Sequence, residues 1–322
     1  MIDKYKNIFS DYLESSMNFS KPKNLYDPTK YILNIGGKRI RPLFLLMTCD
    51  IIRKEFEIAL PAALSIEIFH NFSLVHDDIM DQSNLRRGKK TIHIKWNVNS
   101  AILSGDVMLI WAYQCLEKYE SNLYKKLVSL LTRTSRQVCE GQQLDVDFYN
   151  QKQVSKDDYI KMISYKTGVL LGTSIKMGAM IGGLSKEDSE VFYQYGVQIG
   201  IAFQLHDDYL DTFGDKNKFG KKIGGDIIQN KRTLLYIFAI ENSSKIDKKK
   251  LENFFSEKSK NFDQKIKLVK EIYLKYEVGE KIKIEILKYL NRALELIEKF
   301  PILMSEKTQF REFTNSLINR EI

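Results

Sequence analysis

The sequence predicts an all-α protein, a single large helical bundle around a central cavity. Only five of its 322 residues are proline, and none lies between Pro61 and Pro301. Because an interior proline breaks a helix, this long proline-free stretch favours helices. The predicted helices exceed the usual mean length, which is typical of a large bundle. No composition shift or low-complexity linker divides the chain, so we predict one domain over residues 1–322.

The predicted elements follow one another along the chain. The first is an amphipathic helix that carries Ile8, Phe9, Tyr12 and Leu13. A polar loop with two prolines then covers residues 18–29, and a glycine pair with three cations lies in residues 36–42. Further helices are predicted over residues 43–53, 60–81, 101–120, 124–148, 156–180, 187–213 and 231–242, followed by lysine-rich helices within 249–300 and a last helix over 305–320.

The formal net charge of +9 raises the question of a nucleic-acid partner. Lysines are dispersed along the chain and concentrated near its end, and there is no arginine–aromatic stripe or nucleic-acid motif. Charge runs of this kind are typical of solvated helix faces, so we expect no nucleic-acid partner. A net positive field still helps to gather an anionic substrate.

The cysteines and the apolar runs favour a cytoplasmic protein. Cys49, Cys115 and Cys139 are sparse, odd in number and without a C-x-x-C pair, which predicts free buried thiols in a reducing compartment. The start of the chain has no apolar signal segment. No run reaches 18 uninterrupted apolar residues, and the nearest, residues 169–184, contains Lys176. We therefore expect no stable membrane insertion.

Two copies of one carboxylate motif carry most of the chemical information. Residues 77–81 and 207–211 both read D-D-x-x-D and follow strongly apolar helical segments. On a helix the first and fifth positions lie about 40° apart, so their carboxylates share a face, while the middle aspartate stands to the side and can reach a second ion or a water. Acids near a core persist only when paired or metal-bound. We expect the two motifs to form facing walls of one site.

The ligand chemistry of these motifs predicts magnesium. Hard carboxylate oxygens, with no cysteine or histidine at ligand spacing, suit Mg²⁺ that is shared with substrate phosphates. Two cationic segments, residues 36–41 and the pair Arg86 and Arg87, suit the oxyanions of a diphosphate. Six aspartates, up to three Mg²⁺ ions and two cationic clusters point to two separate diphosphate groups. The candidate metal ligands are Asp77, Asp78, Asp81, Asp207, Asp208 and Asp211.

These blocks resemble the trans-isoprenyl diphosphate (polyprenyl) synthases, the family that contains farnesyl and geranylgeranyl diphosphate synthases. The matching blocks are residues 36–42 (GGKRIRP), 70–88 (HNFSLVHDDIMDQSNLRRG), 166–168 (KTG), 196–214 (GVQIGIAFQLHDDYLDTFG) and 220–233 (GKKIGGDIIQNKRT). The resemblance implies the isoprenoid synthase fold, a homodimer and Mg²⁺ as the cofactor, with three ions. It also implies isopentenyl diphosphate and an allylic diphosphate as substrates.

The resemblance further implies roles for individual residues. Asp77 and Asp81, with Asp78, resemble the first Mg²⁺ motif, and Asp207, with Asp208 and Asp211, the second. Arg86 resembles the partner of the allylic diphosphate. The residues that resemble the isopentenyl diphosphate site are Lys38, Arg41, His70 and Arg87. The positions that line the allylic substrate and its leaving group are Lys166, Thr167, Gln204, Lys221 and Lys231. His70 lies two turns before Asp77 on the same face. His76 and His206 point about 100° away from the acidic pairs and are interpreted as packing groups or as groups that support the metal ligands from behind.

The implied reaction is a short-chain prenyl transfer by ionisation, condensation and elimination. Mg²⁺ and the cations stabilise the departing diphosphate of a dimethylallyl, geranyl or farnesyl substrate. The carbonyl of Lys166 and the side-chain oxygens of Thr167 and Gln204 are the candidates to stabilise the carbocation. The double bond of isopentenyl diphosphate attacks the cation, and loss of a proton to the released diphosphate then gives an all-trans C15 to C20 product.

Four alternatives differ from this interpretation. A terpene cyclase shares the fold and the first motif, but usually has an N-S-E or D-T-E type of second motif and no isopentenyl diphosphate site. A non-catalytic synthase subunit normally loses acidic residues, and all six are present here. A basic nucleic-acid binder leaves both motifs unexplained and would show salt-dependent retention on DNA. A longer-chain polyprenyl synthase differs only in product length.

Residues before the first motif are the candidates that set product length. In this family the growing chain extends along the first aspartate helix, and bulky residues a turn or two before the motif form its floor. Phe72 is five residues before Asp77, about 7.5 Å along the helix axis. Ser73 is small where some short-chain synthases have a second aromatic residue, which predicts a pocket of intermediate depth. Phe69, one turn further, is a second possible stop.

Overall fold

The computed structural model describes residues 2–149, 151, 153–214, 223–256 and 261–318. Within these residues the regular structure is helical apart from one two-stranded hairpin, so the all-α prediction is confirmed. The chain divides into two compact units: unit 1 is Met1–Arg136 with Leu170–Gly196, and unit 2 is Gln137–Val169 with Val197–Ile322. The prediction of one domain over residues 1–322 stays a prediction.

The elements are numbered here in chain order. The helices are α1 (Ile2–Ser16), α2 (Lys23–Asn34), α3 (Ile40–Arg53), α4 (Leu60–Met80), α5 (Ile92–Lys95), α6 (Val98–Gln114), α7 (Ser121–Phe148), α8 (Lys156–Ile163), α9 (Val169–Gly182), α10 (Lys186–Phe213), α11 (Gly225–Ile228), α12 (Leu234–Asn242), α13 (Lys245–Ser256), α14 (Phe262–Lys275), α15 (Val278–Lys299) and α16 (Met304–Ile318). The hairpin strands are β1 (Leu85–Arg86) and β2 (Lys89–Lys90). Short 3₁₀ turns cover Phe56–Ala59 and Cys115–Lys118.

Helix α4 forms the centre of the unit 1 core. It packs against α3 and α6 and buries side chains around its circumference, including Ile66, Ile68 and Phe69. Burying each such side chain contributes about 1.5–3 kcal/mol, so the helix is fixed along most of its length. Helix α4 and the 3₁₀ turn before it form the continuous segment Phe56–Met80. Among the described residues, this is the one helical segment that is long and apolar enough to cross a membrane by length and composition. Because 72% of the most apolar part is buried inside the protein, this segment is typical of a core helix.

Several element boundaries differ from the predicted ones, each for a local reason. A polar loop was predicted over residues 18–29, but residues 23–34 form α2, which accepts Pro28 within it and buries Ile32 and Leu33. The predicted helix over residues 156–180 is divided by a π-helical turn, Ser164–Gly168. The helix predicted from residue 231 begins at Leu234, because Thr233 has an extended backbone with ψ 172° and is the N-cap.

The cysteine prediction is correct for two of the three thiols. Cys49 and Cys115 are buried and free, and burial raises the pKa of each thiol to about 12. Cys139 is free but exposed, so the prediction that it is buried was wrong. It lies in the second half of α7, beside the exposed Glu140.

Close helix packing in unit 2 depends on two glycines. A Cβ atom added at Gly200 in α10 would lie 2.6 Å from the Cα atom of Gly168, which ends the π-helical turn. Real Cβ atoms do not approach backbone atoms this closely, so the two glycines allow α10 to contact this turn directly.

We expect Gly200→Ala to destabilise the protein. Overpacking costs about 1–3 kcal/mol, and the higher helix propensity of alanine offsets about 1 kcal/mol of that. The measurement is the free energy of unfolding in urea. Gly279→Ala is the matched control, because its Cβ would be 3.4 Å from the Phe213 ring, an ordinary contact. Equal unfolding free energies for the two variants would contradict this account.

Candidate functional site

The outer aspartates of the first motif lie at the C-terminal end of α4. The Asp81 backbone N–H donates to the carbonyl of Asp77 at 2.8 Å, so Asp81 caps the helix, and both residues are partly exposed. The C-terminal end of a helix carries partial negative charge, and two carboxylates there are unfavourable without a cation. This end of α4 is therefore suited to cation binding.

The middle aspartate of the first motif has a different environment. The Asp78 side chain is 3% exposed, and Arg86 donates to it from Nε at 3.1 Å and from Nη2 at 2.5 Å. Burial raises the pKa of Asp78, and the bound guanidinium opposes that shift. The sequence placed Asp78 where it could reach a second ion or a water, whereas the structure turns it into the protein as the partner of Arg86.

A hairpin presents the second arginine. Strands β1 and β2 pair antiparallel, with Leu85 opposite Lys90, in a region that was predicted as a simple loop. The two turn residues, Arg87 and Gly88, have φ 51° and 74°, as a tight type I′ hairpin requires. The Arg87 Nη1 atom donates to the carbonyl of Gly36. An added Cβ at Gly37 would lie 2.7 Å from the Arg87 guanidinium carbon, so glycine at that position lets the arginine lie against the loop backbone.

Cations in unit 1 gather around His70. Arg41 Nη1 donates to His70 Nε2 at 3.3 Å. Burial lowers the pKa of His70 well below its ordinary value, and the nearby charges of Arg41, Arg87 and Arg86 lower it further. The imidazole is therefore neutral and accepts from arginine. The structure thus brings together the residues predicted for the isopentenyl diphosphate site, with Lys38 exposed on the adjoining loop.

Arg39, the third cation of the same segment, has a separate role. Its Nη1 atom binds Glu67 of α4, its Nη2 atom donates to the carbonyl of Leu33, and its side chain is buried. Arg39 therefore anchors the loop and the start of α3. Lys38 and Arg41 are the other two cations of that segment.

The second motif lies at the C-terminal end of α10, in unit 2. Asp207 and Asp211 are partly exposed there, as their counterparts are on α4. The backbone N–H of Asp226 donates to Asp211 Oδ2 at 2.9 Å, and the N–H of Gly224 donates to the Asp211 carbonyl. These bonds attach the short helix α11 to the motif and bring in the Asp226 carboxylate as a further acid.

The middle aspartate of the second motif is again buried. Asp208 is 4% exposed, Tyr159 donates to its Oδ2, and Gln204 Nε2 donates to its Oδ1 at 2.9 Å. Burial raises the pKa of Asp208 well above its ordinary value, as do the charges of Asp226 and Asp207, and the two hydrogen bonds oppose the shift. Asp208 thus resembles Asp78 in being buried and hydrogen-bonded, and the metal-ligand role predicted for both stays a prediction.

Gln204 connects Asp208 to Thr167. The Thr167 hydroxyl donates to Gln204 Oε1 at 3.0 Å, which brings together two of the predicted substrate residues. Thr167 lies in the π-helical turn, and such turns are frequent at functional sites. The turn closely contacts α7, because a Cβ at Gly141 would lie 2.4 Å from the Lys166 backbone nitrogen.

The lysines of unit 2 lie beside acids. Lys166 Nζ is 2.6 Å from Asp145 Oδ2, and Lys231 Nζ is 4.0 Å from Asp226 Oδ1. Lys231 directly follows Asn230, which has a left-handed backbone. Lys221, which was predicted to line the leaving group, lies outside the described residues.

The chain-length candidates and the two remaining histidines lie in packed surroundings. Phe72 is 8% exposed, and its ring centroid is 5.4 Å from Phe69 and 4.9 Å from His76. His76 contacts α6, where its ring would collide with a Cβ at Gly105, and His206 is buried in unit 2. Ser73 is half-buried and donates to the carbonyl of His70.

Some site residues were missed by sequence reasoning. Asp226 lies in the quoted block 220–233, and its position five residues before Lys231 was the available signal. Asp145 and Tyr159 had none, because their roles depend on contacts with Lys166 and Asp208 from distant parts of the chain.

The donor set fits magnesium that is shared with a substrate. Among the described residues, no group of three or more histidines, cysteines and acids is arranged to hold a metal ion by itself. Mg²⁺ in phosphate-transfer sites is usually bound by one or two carboxylates, waters and substrate phosphates. The partly exposed acids at the C-terminal ends of α4 and α10 fit that mode of binding.

Comparisons with known proteins agree with these features. The polyprenyl synthetase family profile matches residues 22–272. A geranylgeranyl diphosphate synthase of Methanosarcina mazei is 38% identical over 252 residues, which cover 77% of this chain and 78% of that protein. A short chain isoprenyl diphosphate synthase of Methanothermobacter thermautotrophicus is 31% identical over 300 residues, or 93% of this chain and 92% of that protein. A crystal structure of geranylgeranyl pyrophosphate synthase matches with a TM-score of 0.96 and 41% identity, covering 100% of this chain and 99% of that chain.

Proposed function

The chain belongs to the polyprenyl synthetase family and has its all-α isoprenoid synthase fold, and on that premise we propose that it is a geranylgeranyl diphosphate synthase. It is a short-chain trans-prenyltransferase. The proposed reaction condenses isopentenyl diphosphate with an allylic diphosphate and releases diphosphate. The names of the relatives support a C20 product, at the upper end of the C15 to C20 range that the sequence predicts.

The observation that carries this proposal is the shared arrangement of the two acidic motifs. In each, the outer aspartates are partly exposed at the C-terminal end of a long helix, and the middle aspartate is buried and hydrogen-bonded. The outer aspartates, with Asp226 close to the second motif, would hold Mg²⁺, and three ions are proposed from the number of acids. When bound, Mg²⁺ neutralises the substrate diphosphate and makes it a better leaving group.

The residues of unit 1 bind and orient the diphosphates. Arg41, Arg87 and Lys38 supply positive charge for isopentenyl diphosphate, and the neutral His70 holds Arg41. Arg86 is held in position by the buried Asp78, and the N–H groups of its guanidinium that do not bind Asp78 would donate to the allylic diphosphate. Bidentate arginine contacts are well matched to diphosphate oxygens.

The residues of unit 2 stabilise charge during ionisation. Lys166 and Lys231, with Lys221, offset negative charge on the leaving diphosphate. The Lys166 carbonyl and the oxygens of Thr167 and Gln204 would stabilise the positive charge of the allylic cation, and the hydrogen bond from Thr167 to Gln204 supports this role. The alkene of isopentenyl diphosphate then forms the new C–C bond, and the proton lost afterwards passes to the released diphosphate.

Product analysis tests the proposal directly. The purified protein is incubated with radiolabelled isopentenyl diphosphate and dimethylallyl, geranyl or farnesyl diphosphate, with Mg²⁺ or with EDTA. We expect a C20 diphosphate that forms only with Mg²⁺. Absence of any prenyl product with all three primers would contradict the proposed activity, and a C30 or longer main product would instead indicate a long-chain synthase.

The two arginines after the first motif should have separable effects on kinetics. Arg87→Ala should raise KM for isopentenyl diphosphate about tenfold or more, because a charged hydrogen bond contributes about 1.5–3 kcal/mol. Arg86→Ala should act mainly on the allylic substrate. It should also lower stability, since it leaves the buried Asp78 without its partner. Steady-state kinetics and urea unfolding check both, and an identical kinetic pattern for the two variants would reject the assignment.

We also propose a cytoplasmic homodimer. An exposed apolar strip on α6, made of Val98, Ile102, Leu103 and Ile110, is a surface that a second copy would bury. The two buried free thiols agree with a reducing compartment. Sedimentation equilibrium of the protein and of an Ile110→Glu variant tests the dimer, and a monomeric wild-type protein would exclude it.

A further inference from the structure

We propose that Tyr159 is a positioning residue that, through Asp208, fixes the orientation of the Gln204 side-chain amide. This inference rests on the proposed function, because it assigns Gln204 a place beside the allylic cation. Tyr159 lies on α8 and is not part of either acidic motif. It acts through a row of hydrogen bonds rather than by touching the substrate.

The row of bonds begins at a fully enclosed tyrosine. Tyr159 is 3% exposed, and its hydroxyl donates to Asp208 Oδ2. A buried hydroxyl needs a partner, and a carboxylate oxygen is a strong acceptor. Because α8 is itself held by a capping box at Ser155 and Asp158, the tyrosine is fixed at one point of unit 2. Tyr159 therefore sets the rotation of the Asp208 carboxylate.

Asp208 in turn selects one orientation of Gln204. With Oδ2 held by Tyr159, Oδ1 lies 2.9 Å from Gln204 Nε2 and accepts from it. The amide then presents Oε1 on its other side, where the Thr167 hydroxyl donates to it at 3.0 Å. An amide oxygen and an amide NH₂ occupy similar volumes, so only the hydrogen-bond partners distinguish the two orientations.

This orientation decides the sign of the local charge. As it stands, the Gln204 oxygen and the lone pairs of Thr167 present partial negative charge, which stabilises an allylic cation. A reversed amide would present partial positive charge from its NH₂ group at the same place. It would also leave the Thr167 hydroxyl without its acceptor. Without the Tyr159 bond, the Asp208 carboxylate is free to rotate, and Gln204 loses the contact that keeps its oxygen in place.

The test is a double-mutant cycle with a matched control. Tyr159→Phe should lower kcat about 10- to 100-fold, as loss of a supporting hydrogen bond behind a catalytic group typically does. KM for isopentenyl diphosphate should stay within about twofold, because that diphosphate binds other residues. In a Gln204→Met background, Tyr159→Phe should have no further effect on kcat, since its target is absent.

Tyr276→Phe is the control for removing a tyrosine hydroxyl. Tyr276 donates to Oδ2 of the largely buried Asp247 at 2.9 Å, in the same unit but outside the motif. This variant should keep the kcat of the wild-type protein. If Tyr159→Phe keeps the wild-type kcat, or loses the same factor when Gln204 is already replaced, the inference is wrong.

A second variant covers the case in which Tyr159→Phe does not fold. Asp208→Asn keeps the shape of the side chain. Tyr159 should donate to the oxygen of the new amide at position 208, so that its NH₂ group faces Gln204. The Gln204 amide would then have to reverse and present its oxygen to that NH₂ group. The same kcat loss is expected, again absent in the Gln204→Met background, and a wild-type kcat would overturn the inference. Every value is compared with wild-type protein assayed in parallel. An inactive wild type therefore rejects the proposed function, and only the variant pattern rejects the role of Tyr159.

Discussion

Asp77→Ala and Asp207→Ala should each lower kcat about 100- to 1000-fold, because each removes a carboxylate that, in the proposed function, would hold the metal against the leaving group. Both side chains are partly exposed at a helix C-terminus, where negative charge is unfavourable in the metal-free protein. Replacing them should therefore leave the free energy of unfolding unchanged or slightly raised. The measurements are turnover at saturating Mg²⁺ and urea unfolding without metal.

Two exposed aspartates serve as controls for this prediction. Asp11 lies in unit 1 and Asp157 in unit 2, and both side chains are exposed. Asp11→Ala and Asp157→Ala remove the same charge from each unit and should keep wild-type turnover. If Asp77→Ala and Asp207→Ala also remain within about tenfold of wild type, metal binding by the outer aspartates is excluded.

The sequence was most informative where a pattern repeats in register with the helix. The D-D-x-x-D spacing placed the outer aspartates on one face, and the structure puts them at the ends of α4 and α10. For the middle aspartates the same reasoning gave a direction but no partner, because helical periodicity does not specify which residue lies there. Asp78 meets Arg86 and Asp208 meets Tyr159, and each bond joins residues whose contact depends on the folded chain.

Local backbone geometry accounts for the other differences. A continuous helix over residues 156–180 was predicted because no proline or glycine pair interrupts the apolar spacing near residue 164. The structure has a π-helical turn at Ser164–Gly168, and Gly141 and Gly200 allow α7 and α10 to contact it closely, which the spacing of residues along one helix does not reveal. The hairpin at Leu85–Lys90 was likewise missed, because Arg87 adopts a positive φ that its residue type does not favour.

Phe72→Ala should shift the products to chains longer than C20. Phe72 is almost fully buried five residues before Asp77, in a row of rings with Phe69 and His76. Removing its ring opens space along α4 for at least one further isoprene unit, whereas Ser73 beside it is already small. The loss of a buried ring also costs about 3–5 kcal/mol of stability. Mass spectrometry of the products, with farnesyl diphosphate as primer, measures the distribution.

Phe44→Ala separates the change in product length from the general effect of a cavity. Phe44 is fully buried in α3 of the same unit and packs edge-on to Tyr195 at 6.5 Å, so its loss should cost similar stability and leave product length unchanged. Longer products from Phe72→Ala alone would identify Phe72 as the floor of the chain pocket. The same C20 product from a folded, active Phe72→Ala protein would mean that this ring only packs the core, and Phe69 would then be the next candidate for the floor.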